Sequence, residues 1–158
     1  MKYISKQIVF REVPDEISLS YLISGCPLMC KGCHSADSWN VHAGIELGPD
    51  QLAEDLLKNK GWITCVLFMG GEWFQQTLVE YMEIIQGHGL KTALYTGLEA
   101  VAPALLTRLD YLKTGAYKRE LGGLGSINTN QKLINLKTGD ILNLRFHQNT
   151  EVSYDSTK

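Results

Sequence analysis

The chain has 158 residues, enough for one domain with a substantial core and too few for two. Hydrophobic residues make up 44% and charged residues 20%, as in ordinary globular proteins, and the net charge of −2 with no basic block points to neither nucleic acid nor an anionic membrane as a partner. The first twenty residues interleave Lys2, Lys6, Arg11, Glu12, Asp15 and Glu16 with apolar ones, so no signal-peptide core and no bilayer-length stretch is read there, and a cytoplasmic location is expected.

A strand is expected over 6–10, and a second over 17–23, where Ile17, Leu19, Tyr21 and Ile23 alternate with polar residues up to Ser24-Gly25. Gly48-Pro49-Asp50 opens a helix whose apolar stripe is Leu52, Leu56 and Leu57; Lys58 and Lys60 suit its negative end, and Gly61 stops it. The unbroken run 63–69 is β-rich, as in a strand covered on both faces, and ends at Gly70-Gly71. Leu78, Tyr81, Met82 and Ile85 then recur at helical spacing until Gly87 and Gly89. A strand over 91–95, a weaker helix over 100–108 with Pro103 at its start or kink, and a strand over 109–113 complete the alternation. Strands alternating with helices indicate an α/β fold with a mainly parallel sheet. A single domain over 1–158 is expected, with a core over about 17–115 and an extension over 116–147. Within that extension 132–136 and 140–144 flank Lys137-Thr138-Gly139 as a hairpin, and a polar tail covers 148–158.

Chemistry concentrates in Cys26-Pro-Leu-Met-Cys30-Lys-Gly-Cys33, three of the four cysteines within eight residues. In a reducing compartment such a cluster is more often a ligand set than a disulfide framework. Three thiolates without a fourth suit an iron–sulfur cluster with one iron left open for another ligand. They lie where a strand ends, the side on which parallel sheets collect ligands. A zinc knuckle completed by His34 or His42 is the bland alternative, but zinc sites usually join two separated ligand groups. Cys30-Lys-Gly-Cys33-His34 also satisfies the c-type haem pattern, which needs export and leaves Cys26 idle, and Cys30 with Cys33 satisfies the redox pattern C-x-x-C, though Lys31-Gly32 opens a helix poorly. Cys65, within an apolar strand, reads as a small buried hydrophobe.

The second motif is Met69-Gly70-Gly71-Glu72. Two glycines let a ligand approach the backbone, and Glu72 offers an acceptor to a cationic amine; alone, the motif reads equally as a strand-to-helix turn with an acidic residue at the helix start.

Cys-x3-Cys-x2-Cys followed after the next strand by Gly-Gly-Glu resembles the radical S-adenosylmethionine superfamily. Gly25-Cys26, Gly32-Cys33 and Ser38-Trp39-Asn40 are similar to its glycyl-radical activating enzymes. The chain's brevity, Tyr95-Thr96-Gly97, the segment 109–117, and Gly125-Ser126 with Asn130-Gln131 are similar to the branch that activates anaerobic ribonucleoside-triphosphate reductase. The chain departs from that pattern at Trp73, at Leu124, in the spacing between Ser126 and Asn130, and in its N-terminal segment. The resemblance implies a shortened, partial (β/α) barrel of the radical S-adenosylmethionine type with a C-terminal hairpin. It implies a 4Fe–4S cluster on Cys26, Cys30 and Cys33, and S-adenosylmethionine held by the open iron, by Gly70, Gly71 and Glu72 at its ammonium, and by Gly32, Cys33 and His34 along its nucleotide. Reductive cleavage would give a 5′-deoxyadenosyl radical that takes hydrogen from a glycine of the large reductase subunit. A low-potential donor such as flavodoxin would supply the electron, and no side-chain acid or base is needed. Trp39 and Tyr95 either line the adenosyl pocket or pack in the core. Other outcomes weighed are a radical S-adenosylmethionine enzyme acting on a small molecule, and a zinc-binding interaction module.

Overall fold

The computed structural model describes residues 1–147, so the polar tail expected over 148–158 lies outside the described residues. One seven-stranded sheet runs through the described residues in the order 45–46, 2–9, 18–23, 65–69, 91–95, 111–114, 132–135. Its strands are β1 (Lys2–Val9), β2 (Ser18–Ile23), β3 (Ile45–Glu46), β4 (Cys65–Met69), β5 (Lys91–Tyr95), β6 (Tyr111–Thr114) and β7 (Lys132–Asn135). β2, β4, β5 and β6 are mutually parallel, while β1, β3 and β7 run antiparallel to their neighbours. Among the described residues the α-helices are α1 (Pro49–Lys58), α2 (Gln75–Gly87) and the single turn α3 (Pro103–Leu106). The expected α/β class is what forms.

The sheet divides its apolar residues by parity. Val66 and Phe68 of β4 join Leu19, Tyr21, Leu94 and Leu112 on the face covered by Leu52 and Leu56 of α1 and Leu78, Met82 and Ile85 of α2. Cys65 and Leu67 join Val9, Ala93, Tyr111 and Leu133 on the opposite face, which Leu124, Leu142 and Phe146 of the C-terminal segment cover. That second cover explains why β4 is an unbroken apolar run rather than an alternating one. Helix α1 starts with Pro49 at its first turn, as the sequence predicts, and its buried Asp55 ties it to the sheet. Lys6 Nζ donates to both Asp55 oxygens at 2.8 and 2.9 Å, and Tyr21 Oη donates to Oδ2 at 2.8 Å. Removing either partner would strand a buried charge at a cost of about 3–5 kcal/mol.

Three expectations need correction. β1 begins at Lys2 rather than near residue 6, because Tyr3 is buried and Lys2 and Tyr3 pair with β3. The helix expected over 100–108 is one turn. The C-terminal hairpin does not form as two strands. β7 pairs with β6 in the sheet, but the return segment follows β7 only for a short stretch, through a bridge between Ile134 and Ile141 with the Asn135 N–H donating to the Asp140 carbonyl at 2.9 Å and the Leu142 N–H to the Leu133 carbonyl at 2.7 Å, and then coils into a short 3-10 turn over Asn143–Phe146. Asn143 is the cause. Its Oδ1 accepts from the Leu133 N–H at 2.9 Å and its Nδ2 donates to the Gln131 carbonyl at 2.8 Å, ending the backbone ladder just beyond Leu142. Among the described residues no helix is long and apolar enough to cross a membrane.

Candidate functional site

The four parallel strands deliver their carboxyl-end loops to one place. Register pairs Leu22 with Met69 and Met69 with Tyr95, so the loops after β2, β4 and β5 stand side by side. Between them is a cavity of about 200 Å³ whose walls include Cys26, Cys30, Cys33, Gly70, Glu72 and Lys113. This is the position at which open parallel sheets bind ligands.

The loop after β2 is folded back by its own polar groups. The N–H groups of Gly25 and Cys26 both donate to the Ser38 carbonyl, at 2.7 and 3.2 Å, and the Ser38 hydroxyl donates to the Ser35 carbonyl at 2.7 Å. A tight turn from the Cys33 N–H to the Cys30 carbonyl spans 3.0 Å, and the Ser35 N–H donates to the Cys33 sulfur at 3.4 Å. Met29, between two of the cysteines, holds φ at 45°, a left-handed conformation that a side chain adopts only where its surroundings impose it. All three thiols are half-buried and free of disulfides. Burial pushes the Cys26 thiol above its ordinary range. Among the described residues no three His, Cys, Asp or Glu side chains converge closely enough to hold a single metal ion. Cys65 sits at the far end of β4, fully buried, with its thiol pushed up to about 12 by that burial; it is the small hydrophobe the sequence indicates.

Across the cavity, Glu72 follows the Gly70-Gly71 turn at the end of β4. The Thr96 hydroxyl donates to its Oε1, whereas Oε2 is sealed from solvent and has no hydrogen-bond partner among the described residues. Burial raises the pKa of this carboxyl. A half-satisfied buried carboxylate is costly unless something cationic or hydrogen-donating completes it. The Trp73 Nε1–H beside it is likewise unpartnered. The third wall is Lys113 of β6, buried, its ammonium donating to the Gly115 carbonyl at 2.9 Å and the Thr96 carbonyl at 3.4 Å. Burial lowers its pKa to about 8, while Cys30, Cys33 and Glu72 pull the other way.

The cavity thus brings together Cys26, Cys30, Cys33, Gly70 and Glu72, with Tyr95 also on its wall. Gly71 is not on the wall; a Cβ there would meet the Ile23 side chain at 3.4 Å, so it serves packing. Gly32 faces outward into a second cleft, and the exposed His34 ring lies 5.3 Å from the Tyr117 ring, centre to centre. Sequence reasoning missed Lys113 and the grip of Thr96 on Glu72. A lysine at the end of the strand expected over 109–113, beside the Thr-Gly turn of 114–115, was the available signal for the first.

Residues 17–122 match the family described as a 4Fe-4S single cluster domain, and the chain belongs to that family. It is also 35% identical over 78 residues to pyruvate formate-lyase-activating enzyme of Clostridium pasteurianum, a match covering 46% of this chain and 33% of that enzyme. The chain therefore spans about a third of the length of the curated relative it matches.

Proposed function

We propose that this chain is a radical S-adenosylmethionine activating enzyme that installs a glycyl radical in a partner protein. The observation that carries the reading is the pairing, across one cavity, of three free cysteines with a Glu72 carboxylate oxygen that is buried and lacks a partner among the described residues. The donor set fits the expected groups. Cys26, Cys30 and Cys33 would hold a 4Fe–4S cluster and leave one iron open. Glu72 would accept from the methionine ammonium, with the Gly70-Gly71 turn giving it backbone access, and Cys33, which lines the cavity where Gly32 and His34 do not, would flank the nucleotide. Lys113 adds a fixed positive charge opposite the thiolates. When bound, cluster and S-adenosylmethionine supply one-electron cleavage of a sulfonium and abstraction of a hydrogen atom from a glycine. The protein's part is to hold these groups, orient them and keep water away.

A cavity of about 200 Å³ is smaller than the roughly 300–1,000 Å³ usual for ligand pockets, so bound groups would extend beyond it and a protein substrate would complete the enclosure. The parallel run β2, β4, β5, β6 suits a shortened (β/α) barrel, built as one domain over 1–158 with its core near 17–115, working in the cytoplasm. The proposed partner is the large subunit of anaerobic ribonucleoside-triphosphate reductase, on the strength of Tyr95-Thr96-Gly97 and the segment 109–117, with a low-potential donor such as flavodoxin. A second partner, pyruvate formate-lyase, is favoured by the 35% identity to its activating enzyme. The test is anaerobic: reconstituted protein, S-adenosylmethionine and reductant are mixed with each candidate partner and examined by electron paramagnetic resonance. A glycyl doublet with the reductase subunit alone supports the first partner. A doublet only with the lyase replaces it, and cofactor cleavage with neither removes both.

A further inference from the structure

The cysteine loop has an outer side as well as the inner one. There a cleft of about 660 Å³ is lined by Lys31, Gly32, Tyr117, Lys118, Arg119 and Glu120. Three of those six residues are cations and one is an anion, on a chain whose net charge is −2. Lys31, Lys118 and Arg119 are exposed, and none of them takes part in the ion pairs formed among the described residues. Lys31 and Gly32 are the two residues between Cys30 and Cys33, so one wall of the cleft is the ligand loop itself. Because Gly32 carries no side chain, Arg119 lies close against that wall, its Cδ 3.7 Å from where a Cβ would stand.

We propose that this cleft docks an acidic one-electron carrier protein, a proposal that rests on the activating-enzyme reading. The inner cavity must stay free for the cofactor and the protein substrate, so the electron has to arrive from another side. The cationic cleft offers that side within the width of one loop from the sulfurs. An unpaired cationic cleft draws an anionic surface and raises its encounter rate. In the step itself no bond is made or broken: the carrier's reduced centre loses one electron and the cluster gains it.

The test uses the full chain, reconstituted, as wild type and as the double variant Lys118→Glu/Arg119→Glu, with Lys118→Gln/Arg119→Gln as the milder change. Reduced flavodoxin is the acidic probe and photoreduced 5-deazaflavin the small neutral one; cluster reduction is followed by stopped-flow absorbance. The expected result is a fall of about tenfold or more in the flavodoxin rate at low salt, smaller for the Gln pair and vanishing at high salt, as steered encounters do. The deazaflavin rate and the iron content should not change. An unchanged flavodoxin rate, or an equal fall with both reductants, overturns the proposal. So does loss of glycyl-radical yield in deazaflavin-reduced variants with an unaltered flavodoxin rate, which would assign the cleft to the protein substrate. If the wild type reduced by deazaflavin fails to cleave S-adenosylmethionine, the activating-enzyme reading fails instead, and the two rates still decide the docking question.

Discussion

Glu72 and Lys113 are the two residues whose electrostatics define the cavity. Burial of Glu72, whose Oε2 has no partner among the described residues, makes the carboxyl hold its proton above the usual glutamate range. Cofactor binding that uses the carboxylate should therefore decline on acidification at a pH above that range. Glu72→Gln should remove the decline and weaken S-adenosylmethionine binding at neutral pH by about 10- to 100-fold, the worth of a hydrogen bond to a charged group, as titration calorimetry of the reconstituted protein would show. In the ligand-free protein the sign is opposite. The native state takes up the proton before the unfolded chain does, so stability falls as pH rises through Glu72's raised value, and denaturant midpoints of Glu72→Gln should lack that slope. Lys113, with a pKa of about 8, remains mostly cationic at neutral pH and faces Cys30 and Cys33. A cation there favours the reduced, more negative cluster, so Lys113→Met should lower the reduction potential by on the order of tens of millivolts in a redox titration.

At the scale of elements, the site is a product of strand ends, and two glycines show how tightly those ends are fitted. A Cβ on Gly70, at φ 83°, would stand 2.5 Å from the Trp73 ring. Gly70→Ala should therefore cost about 1–3 kcal/mol in urea denaturation, from backbone strain and overpacking together. Gly97 has ordinary φ, but a Cβ there would meet Leu28 Cδ1 at 2.4 Å. Leu28 lies between Cys26 and Cys30, so Gly97→Ala should displace the cysteine loop and reduce iron bound per chain on reconstitution, with little loss of global stability. The boundaries of α1 and the buried β4 were legible because local signals fixed them: Pro49 at the first turn, Gly61 after the last, and seven β-forming residues in a row. The cysteine and Gly-Gly-Glu motifs were legible as chemistry, since residue type and spacing carry it. Lys113 was not, because a lysine in a strand usually reaches solvent. Only the parallel register of β5 and β6 turns its ammonium onto the Thr96 carbonyl. The grip of Thr96 on Glu72 spans 24 residues of sequence and exists only because Met69 and Tyr95 are neighbours in the sheet. The return arm after β7 went astray for a comparable reason: a side chain, Asn143, took the hydrogen bonds that a strand pattern promises to backbone.

Across the whole molecule, the scaffold and the site draw on different interactions. The core is two apolar layers on the two faces of the sheet, and the half-buried cysteines at 26, 30 and 33 belong to neither. Between β2 and β3 the chain forms no helix or strand beyond the 3-10 turn Ala36–Trp39, and its hydrogen bonds are few, most of them within the loop, with the Ser24 N–H to the Lys2 carbonyl and Lys2 Nζ to the His42 carbonyl tying it to β1. Segments of that kind open at low free energy while a buried sheet opens only with the global transition. Cluster binding should therefore be felt mainly by this loop, unlike small zinc domains in which metal binding is folding itself. Hydrogen exchange followed by mass spectrometry gives the comparison. In the cluster-free protein, peptides covering β2, β4, β5 and β6 should be strongly protected and peptides over 25–44 weakly so. Anaerobic reconstitution should raise protection over 25–44 by about tenfold or more and leave the central strands nearly unchanged. Protection of β4 and β5 that appears only on loading would mean that the sheet depends on the cluster, and that the two apolar layers do not suffice to hold it.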